Sequence, residues 1–189
     1  MLADLVKRNR SYRRFYEEQE ISRETLLQLI DLARLSPSGA NRQTLRYYLS
    51  NAKETNDKIF PHIGWAGYLK DWTGPVAGER PTAYIVIVQD EQQKAIGGPA
   101  YGIAAQSILL GAVEQGLGGC MIGNLQRPGL RAALDIPENM EIVLVIALGK
   151  PQECVVIDEI EADDDTKYWR DDNQVHHVPK LKLQDIIMN

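Results

Sequence analysis

Cysteine is nearly absent from this 189-residue sequence, Cys120 and Cys154 being its only two. They form no CxxC pair and have no ligand-like spacing, which predicts free thiols in a reducing cytosol rather than a disulfide framework. Histidine is almost as scarce: His62 stands alone and His176-His177 are adjacent. Neighbours in an extended segment point to opposite sides, so the pair does not chelate one metal, and no metal site is expected. No apolar run approaches the ~18 residues of a membrane span. The opening Met-Leu-Ala-Asp-Leu-Val-Lys carries an acid at its fourth position and no apolar core, so a signal peptide is not expected either. Basic side chains are outnumbered 21 to 26, for a formal net charge of −5, which argues against a nucleic-acid-binding face. There is no G-x-S-x-G, no internal repeat and no low-complexity tract, and Gly97-Gly98 and Gly118-Gly119 lack the order of a dinucleotide fingerprint. What remains is a cytoplasmic, soluble composition, 44% hydrophobic and 25% charged, at a length suited to one domain.

Against that acidic background, Lys7-Arg8-Asn9-Arg10-Ser11-Tyr12-Arg13-Arg14 places five cations in eight residues with no acid among them. Without them, 16 basic side chains would face 26 acidic ones. Like charges repel, so a cluster kept together in a fold calls for an anion, and arginine forks beside a serine hydroxyl suit phosphate oxygens. The competing reading is a solvated basic turn.

The remaining pattern mixes helices and strands. Leu2, Leu5 and Val6 give residues 2–9 helical character. Ser22 caps a helix over 23–35 with Leu26, Leu29, Ile30 and Ala33 on one face. Ser36-Pro37-Ser38-Gly39 ends it. A strand is expected over 44–49, a polar helix over 52–63 disrupted by Pro61, and a long loop over 64–81 carrying Trp65, Tyr68 and Trp72. Residues 83–88 and 142–148 are continuous apolar runs, expected as strands buried on both faces. Between them lie an almost wholly apolar helix over 98–117 with a glycine exit at 116–119, a short strand at 120–122 and a short helix over 127–134. The tail from Asp158 onward has little core of its own, so it is expected as an extended arm over the body or onto a second subunit.

Four of these stretches, in order, carry a family resemblance. Arg10-Ser11-Tyr12-Arg13-Arg14-Phe15 resembles an R-S-x-R-x-F signature. Ala33 to Gln43 resembles an A-x-x-A/S-P-S-G-x-N-x-Q segment. Gly102 to Gly119 is similar to a central helix with its glycine exit, and Leu148-Gly149-Lys150-Pro151 resembles a closing L-G-x-P. Together they resemble the FMN-dependent nitroreductase-like oxidoreductases, of which this would be a short member. The resemblance implies an α+β, three-layer fold with a central mixed, mostly antiparallel sheet flanked by helices, and an intertwined homodimer. Residues 1–189 would form one FMN-binding domain, 158–189 its C-terminal arm.

The resemblance further implies that NADH or NADPH reduces the flavin, which then reduces a small acceptor such as a nitroaromatic or a quinone. Reductive dehalogenation or flavin fragmentation is a variant within the same class. Arg10, Ser11 and Arg13 would hold the phosphate and ribityl chain, and Pro37, Ser38, Gly39 and Asn41 would reach the flavin from the other protomer. Ile122 and Gly123 would face the isoalloxazine edge, and Lys180 and Lys182 would close on the phosphate. Asn9 stands where many members have an arginine, so that contact would be either lost or taken by Arg8. Leu181 also replaces a basic residue, and Thr44-Leu45 replaces a frequent Pro-Trp.

Because the flavin performs the hydride chemistry, no catalytic side chain is required of the protein, whose part is positioning and electrostatics. Cys120, in an apolar strand, is expected as a buried structural thiol. Trp65, Tyr68 and Trp72 would either stack on an aromatic acceptor or simply anchor their loop. The alternative from another class is a flavin-binding or regulatory protein without efficient NAD(P)H turnover. A third reading has no flavin and a different anion on the basic cluster.

Overall fold

In the computed structural model, which describes residues 1–90 and 100–189, every strongly patterned segment forms the element its periodicity predicts. Helix α1 spans Leu2–Arg8 and α2 spans Arg23–Leu35. The Ser22 side chain caps α2 by accepting from the Thr25 backbone N–H. Strand β1 is Leu45–Ser50, α3 is Lys53–Ile59 and β2 is Ala83–Asp90. The expected helix over 52–63 stops short because Pro61 tightens Phe60–His62 into a single 3₁₀ turn. Then come α4 (Ala100–Glu114), β3 (Gly118–Ile122), α5 (Arg127–Leu134) and β4 (Met140–Gly149). Gly98 and Pro99, where the predicted central helix begins, lie outside the described residues, as does Gly97.

The four strands form one antiparallel sheet in the order β1-β2-β4-β3. The apolar runs become its two central strands, and Ile85, Val86, Ile87, Val145, Ile146 and Ala147 are fully buried. Successive strand residues face opposite sides. Ala83, Ile85 and Ile87 therefore pack with α2 and α4, whereas Tyr84, Val86 and Val88 pack with Ile59, Leu130 and Leu134 from α3 and α5. A bulge between Ile87 and Val88 resets the phase, so Ile142 and Val145 share a face. This is the helix–sheet–helix arrangement of an α+β fold. Helix α4, apolar all round, takes its close neighbour from within the chain: a Cβ on Gly111 would run into the Leu32 side chain of α2.

The glycine exit differs from its sequence reading. Gly116 (φ +72) does terminate α4, but Gly118 and Gly119 belong to β3. They are there for closeness: a Cβ on Gly118 would lie 2.5 Å from the Tyr12 ring, and Ser11 pairs with Gly119 in an isolated parallel bridge. The cationic N-terminal segment is thus laid along the edge of the sheet.

The tail is more ordered than its composition suggests. Strands β5 (Val155–Ile160), β6 (Trp169–Arg170) and β7 (His176–Leu181) make a second sheet, with β7 parallel to β5 and antiparallel to β6. Beyond it, Leu183, Ile186 and Ile187 are exposed. Among the described residues, no helix is long and apolar enough to cross a membrane.

Candidate functional site

Where the N-terminal segment meets β7, two distant parts of the sequence enclose a cavity of about 270 Å³. It is lined by Asn9, Arg10, Ser11, Arg13, Tyr168, His176, Val178 and Lys180. Among the described residues, three cations and no carboxylate face it. Arg13 is buried, and its guanidinium is fixed on several sides. Nη1 donates to the Ser11 carbonyl at 3.2 Å and lies 3.1 Å from His176 Nε2, and the charge sits 4.8 Å above the Tyr168 ring. Glu153 braces this arrangement from below. One carboxylate oxygen accepts from the Arg13 backbone N–H and the other pairs with Arg170 at 2.9 Å, with both side chains of that ion pair buried.

Arg10 donates to the Val6 carbonyl at 2.8 Å, which tethers it to the end of α1, while its buried Nε has no partner among the described residues. Burial also lowers its pKa from the ordinary guanidinium value. Concentrated positive charge and a serine hydroxyl are what a phosphate group needs. The cavity is large enough for a phosphoryl group but below the usual size of a pocket holding a whole cofactor. An FMN phosphate therefore fits here only if its ring system lies outside.

The other predicted residues fall into distinct places. Lys180 lines the cavity. Lys182 does not, because the strand has ended and its ammonium pairs with Glu161. Arg8 is exposed at the end of α1 and is absent from the lining; Asn9 lines the cavity and donates to Gln106 of α4 at 3.3 Å. Arg14 turns away to an ion pair 3.0 Å from Glu79, without the alignment of a hydrogen bond. Ile122 is buried at the end of β3 and Gly123 is exposed just beyond it. The 64–81 loop starts beside them, since Gly64 N–H donates to the Asn124 carbonyl at 2.8 Å.

Within that loop, Trp65 packs against Phe60 and edge-on to Trp72, and Trp72 lies under the Arg170 guanidinium at 4.5 Å. Tyr68 is 55% exposed, and its ring lies 4.9 Å from that of Tyr168 in the cavity wall. Cys120, under the cradle, is a buried thiol whose pKa is raised chiefly by desolvation, which keeps it protonated and inert. Cys154 is exposed and unpaired.

Pro37, Ser38, Gly39 and Asn41 are not brought to the cradle. Pro37 and Ser38 line a separate cavity of about 170 Å³ with Ala33, Arg46 and Ala104, and Gly39 and Asn41 are exposed. Their turn is strained: Ala40, Asn41 and Gln43 have φ of +49°, +53° and +50°, in the left-handed region that non-glycine residues rarely occupy. The turn is held by its own hydrogen bonds, Asn41 N–H to the Ser38 carbonyl at 2.9 Å and Gln43 N–H to Ser38 Oγ at 3.2 Å.

Tyr168, His176, Glu153 and Arg170 were not anticipated as part of the site. For His176 a signal existed. In an extended segment every second residue shares a face, so placing Lys180 on the cavity places Val178 and His176 there too. The same alternation turns His177 outward, where Nδ1 lies 2.9 Å from Asp158 Oδ2.

Comparison with known proteins supplies what geometry alone cannot. A protein of Archaeoglobus fulgidus with the provisional name NADH dehydrogenase/NAD(P)H nitroreductase is 27% identical over 159 residues, covering 80% of this chain and 85% of its own. A crystal structure of a nitroreductase family protein from Clostridium novyi NT superposes with a TM-score of 0.67 at 23% identity, covering 95% of this chain and 94% of that one. The NADPH:FMN oxidoreductase of Vibrio harveyi, complexed with NAD+, gives a TM-score of 0.63 at 24% identity, covering 80% and 69%. Residues 6–150, from just before the cationic segment to the last strand of the main sheet, match the sequence profile of the Nitroreductase family. Profile, fold and the four ordered motifs agree, and the chain belongs to the nitroreductase family.

Proposed function

We propose that this protein is an FMN-dependent oxidoreductase that takes hydride from NADH or NADPH and delivers it to a small acceptor such as a nitroaromatic or a quinone. Family membership supports the class of reaction. The observation that carries the cofactor reading is the cavity where Arg10, Ser11, Arg13 and Lys180, from opposite ends of the chain, converge with no facing carboxylate among the described residues. When bound, FMN supplies the hydride chemistry, and no nucleophile or general base is asked of the protein.

The work of the residues is binding and orientation. Arg13, buried and braced by Glu153, Tyr168 and His176, holds the phosphate as a rigid donor. Arg10 and Lys180 add charge, and Ser11 contributes a hydroxyl. Ile122 and Gly123, at the end of β3, face the ring edge. Asn9 occupies the cavity wall as a neutral group, so Arg8 plays a minor part there.

The functional unit is a homodimer in which residues 1–189 serve as one flavin-binding domain per protomer. Ser38, Gly39 and Asn41 stand apart from the cradle of their own chain and serve that of the other. Leu2, Val6, Leu35, Tyr101 and Ile103 give α1, α2 and α4 exposed apolar side chains for such a contact, and Leu183, Ile186 and Ile187 extend it. One exposed and one buried free thiol accord with a cytoplasmic setting.

The visible absorption spectrum of the purified protein, before and after anaerobic NADH or NADPH, tests the proposal. An oxidised-flavin spectrum that bleaches with either nucleotide is expected. Flavin that stays oxidised would reassign the protein as a flavin binder without turnover. A colourless protein that takes up no added FMN would overturn the reading.

A further inference from the structure

Tyr168 lines two cavities. One is the cationic cradle; the other is larger, about 560 Å³, which is within the usual size of a pocket for a small organic ligand. His176, Val178 and Lys180 of β7 line the cradle, so the alternation along the strand gives Pro179 to the second cavity, where Ile160 of β5 joins it. Tyr68 and Trp169 add two rings to this apolar lining. Tyr68 is 55% exposed and packs 4.9 Å from Tyr168. Trp169 lies flat on His177, with centroids 4.1 Å apart and planes 8° from parallel, yet is 48% exposed. Rings that are held in place and still open to solvent offer stacking surface to a flat heterocycle. The charge is opposite to that of the cradle. Asp158 and Asp165 line the cavity with Lys167, and the Lys167 ammonium is already committed to Asp165 at 3.0 Å. His177 Nδ1 holds Asp158 Oδ2 at 2.9 Å, and the Asp158 side chain remains 37% exposed. An accessible carboxylate beside a stacking surface accepts from the hydroxyls of a ribose and repels a phosphate placed there.

We propose that this second cavity binds the adenosine end of the reductant and selects NADH over NADPH. Adenine stacks on Tyr68 and Trp169, Asp158 accepts from the ribose hydroxyls, and the 2′-phosphate of NADPH meets Asp158 and Asp165 with like charge. The inference rests on the flavin and nicotinamide reading above, and the shared Tyr168 sets the cavity beside the cradle that reading uses.

Calorimetric titration of the FMN-loaded chain with ADP-ribose and with 2′-phospho-ADP-ribose tests the site, since both ligands carry the adenosine end without the nicotinamide and the cradle is already filled. ADP-ribose is expected to bind about 10-fold tighter than its 2′-phosphorylated form. Tyr68→Ala and Trp169→Ala should each weaken ADP-ribose about 10-fold. Asp158→Asn should bring the two ligands within about threefold of each other, and the NADH-to-NADPH ratio of kcat/KM for flavin reduction should fall by a similar factor. FMN affinity, read by flavin fluorescence, separates a binding role from damage to the fold: a loss of FMN in proportion to the loss of ADP-ribose in both aromatic variants would overturn the assignment. So would FMN-loaded protein that binds no ADP-ribose, binds both ligands equally or prefers the 2′-phosphorylated one, with the flavin reading left standing. Protein that takes up no FMN would remove that reading and this inference together.

Discussion

Two regions with the strongest motifs in the sequence end up in opposite conditions. The Arg10–Arg13 segment is finished within one chain: Gly118 and Gly119 let it lie against β3, β7 covers it, and Glu153 accepts from the Arg13 backbone N–H. The Ser36–Gln43 turn is left open. It carries three strained non-glycine residues and satisfies its polar groups largely on itself, although Ser36 Oγ reaches Ser107 Oγ at 2.7 Å. Strain retained in an exposed turn points to use, because nothing in its packing requires it. The difference teaches that the first motif is buttressed within its own chain and the second is not; under the homodimer proposed above, the open turn would complete the site of the other chain.

Removing the brace beneath the finished half should have the largest effect. Glu153→Ala leaves buried Arg170 without its carboxylate and frees the Arg13 backbone, and should lower unfolding stability by about 3–5 kcal/mol in chemical denaturation. A loss under ~1 kcal/mol would mean that the cradle does not depend on its brace. Next, Arg10→Ala with Arg13→Ala should weaken FMN roughly 100-fold or more in equilibrium dialysis; retained affinity would relocate the phosphate.

The open half is expected to be softer, with Asn41→Ala weakening FMN about 10-fold. Here the comparison becomes decisive. Mixing Arg13→Ala chains with Asn41→Ala chains should restore tight binding in one site per mixed dimer, since one intact cradle then meets one intact turn. No restoration after subunit exchange would show that each chain builds its site alone.

A smaller effect concerns pH. His176 titrates at about 4 rather than 6.5, first because of burial and then because of Arg13, Arg170 and His177. The unfolded chain therefore takes up a proton below about 6.5 that the folded chain refuses until about 4. Stability of the flavin-free protein should decline as pH falls through that window, by up to about 1.4 kcal/mol per pH unit, and level off below it. Melting curves of His176→Gln should lose this component. Last, Lys182→Ala, which removes only a partly exposed pair with Glu161, should change stability by less than ~1 kcal/mol and FMN affinity by less than twofold.

Much of the fold was legible because each element announced itself locally. Ser22 ahead of a 3.6-residue apolar period, and unbroken apolar runs at 83–88 and 142–148, need no distant partner to be read. The cationic half of the site was legible for a similar reason, since clustered like charge implies an anion wherever it lies. Glu153 and Arg170 were not, because a single acid and a single base in polar stretches look solvated until something buries them. His176 was hidden by its neighbour: the pair drew attention to metals, and only the alternation along β7 separates one ring from the other. The tail was underestimated because β5 and β7 hold each other through backbone hydrogen bonds, which leave no apolar signature.

The sequence by itself determined the helix and strand order, the buried central strands, the family and the concentrated positive charge of Arg10–Arg13, all of which rest on local spacing and charge. Only the tertiary structure decided that Lys180 joins that cluster and Lys182 does not, that His176 faces inward, and that Ser38 and Asn41 stand apart. Those outcomes depend on where strands end and which distant chains they meet, and neighbours in sequence do not carry that information.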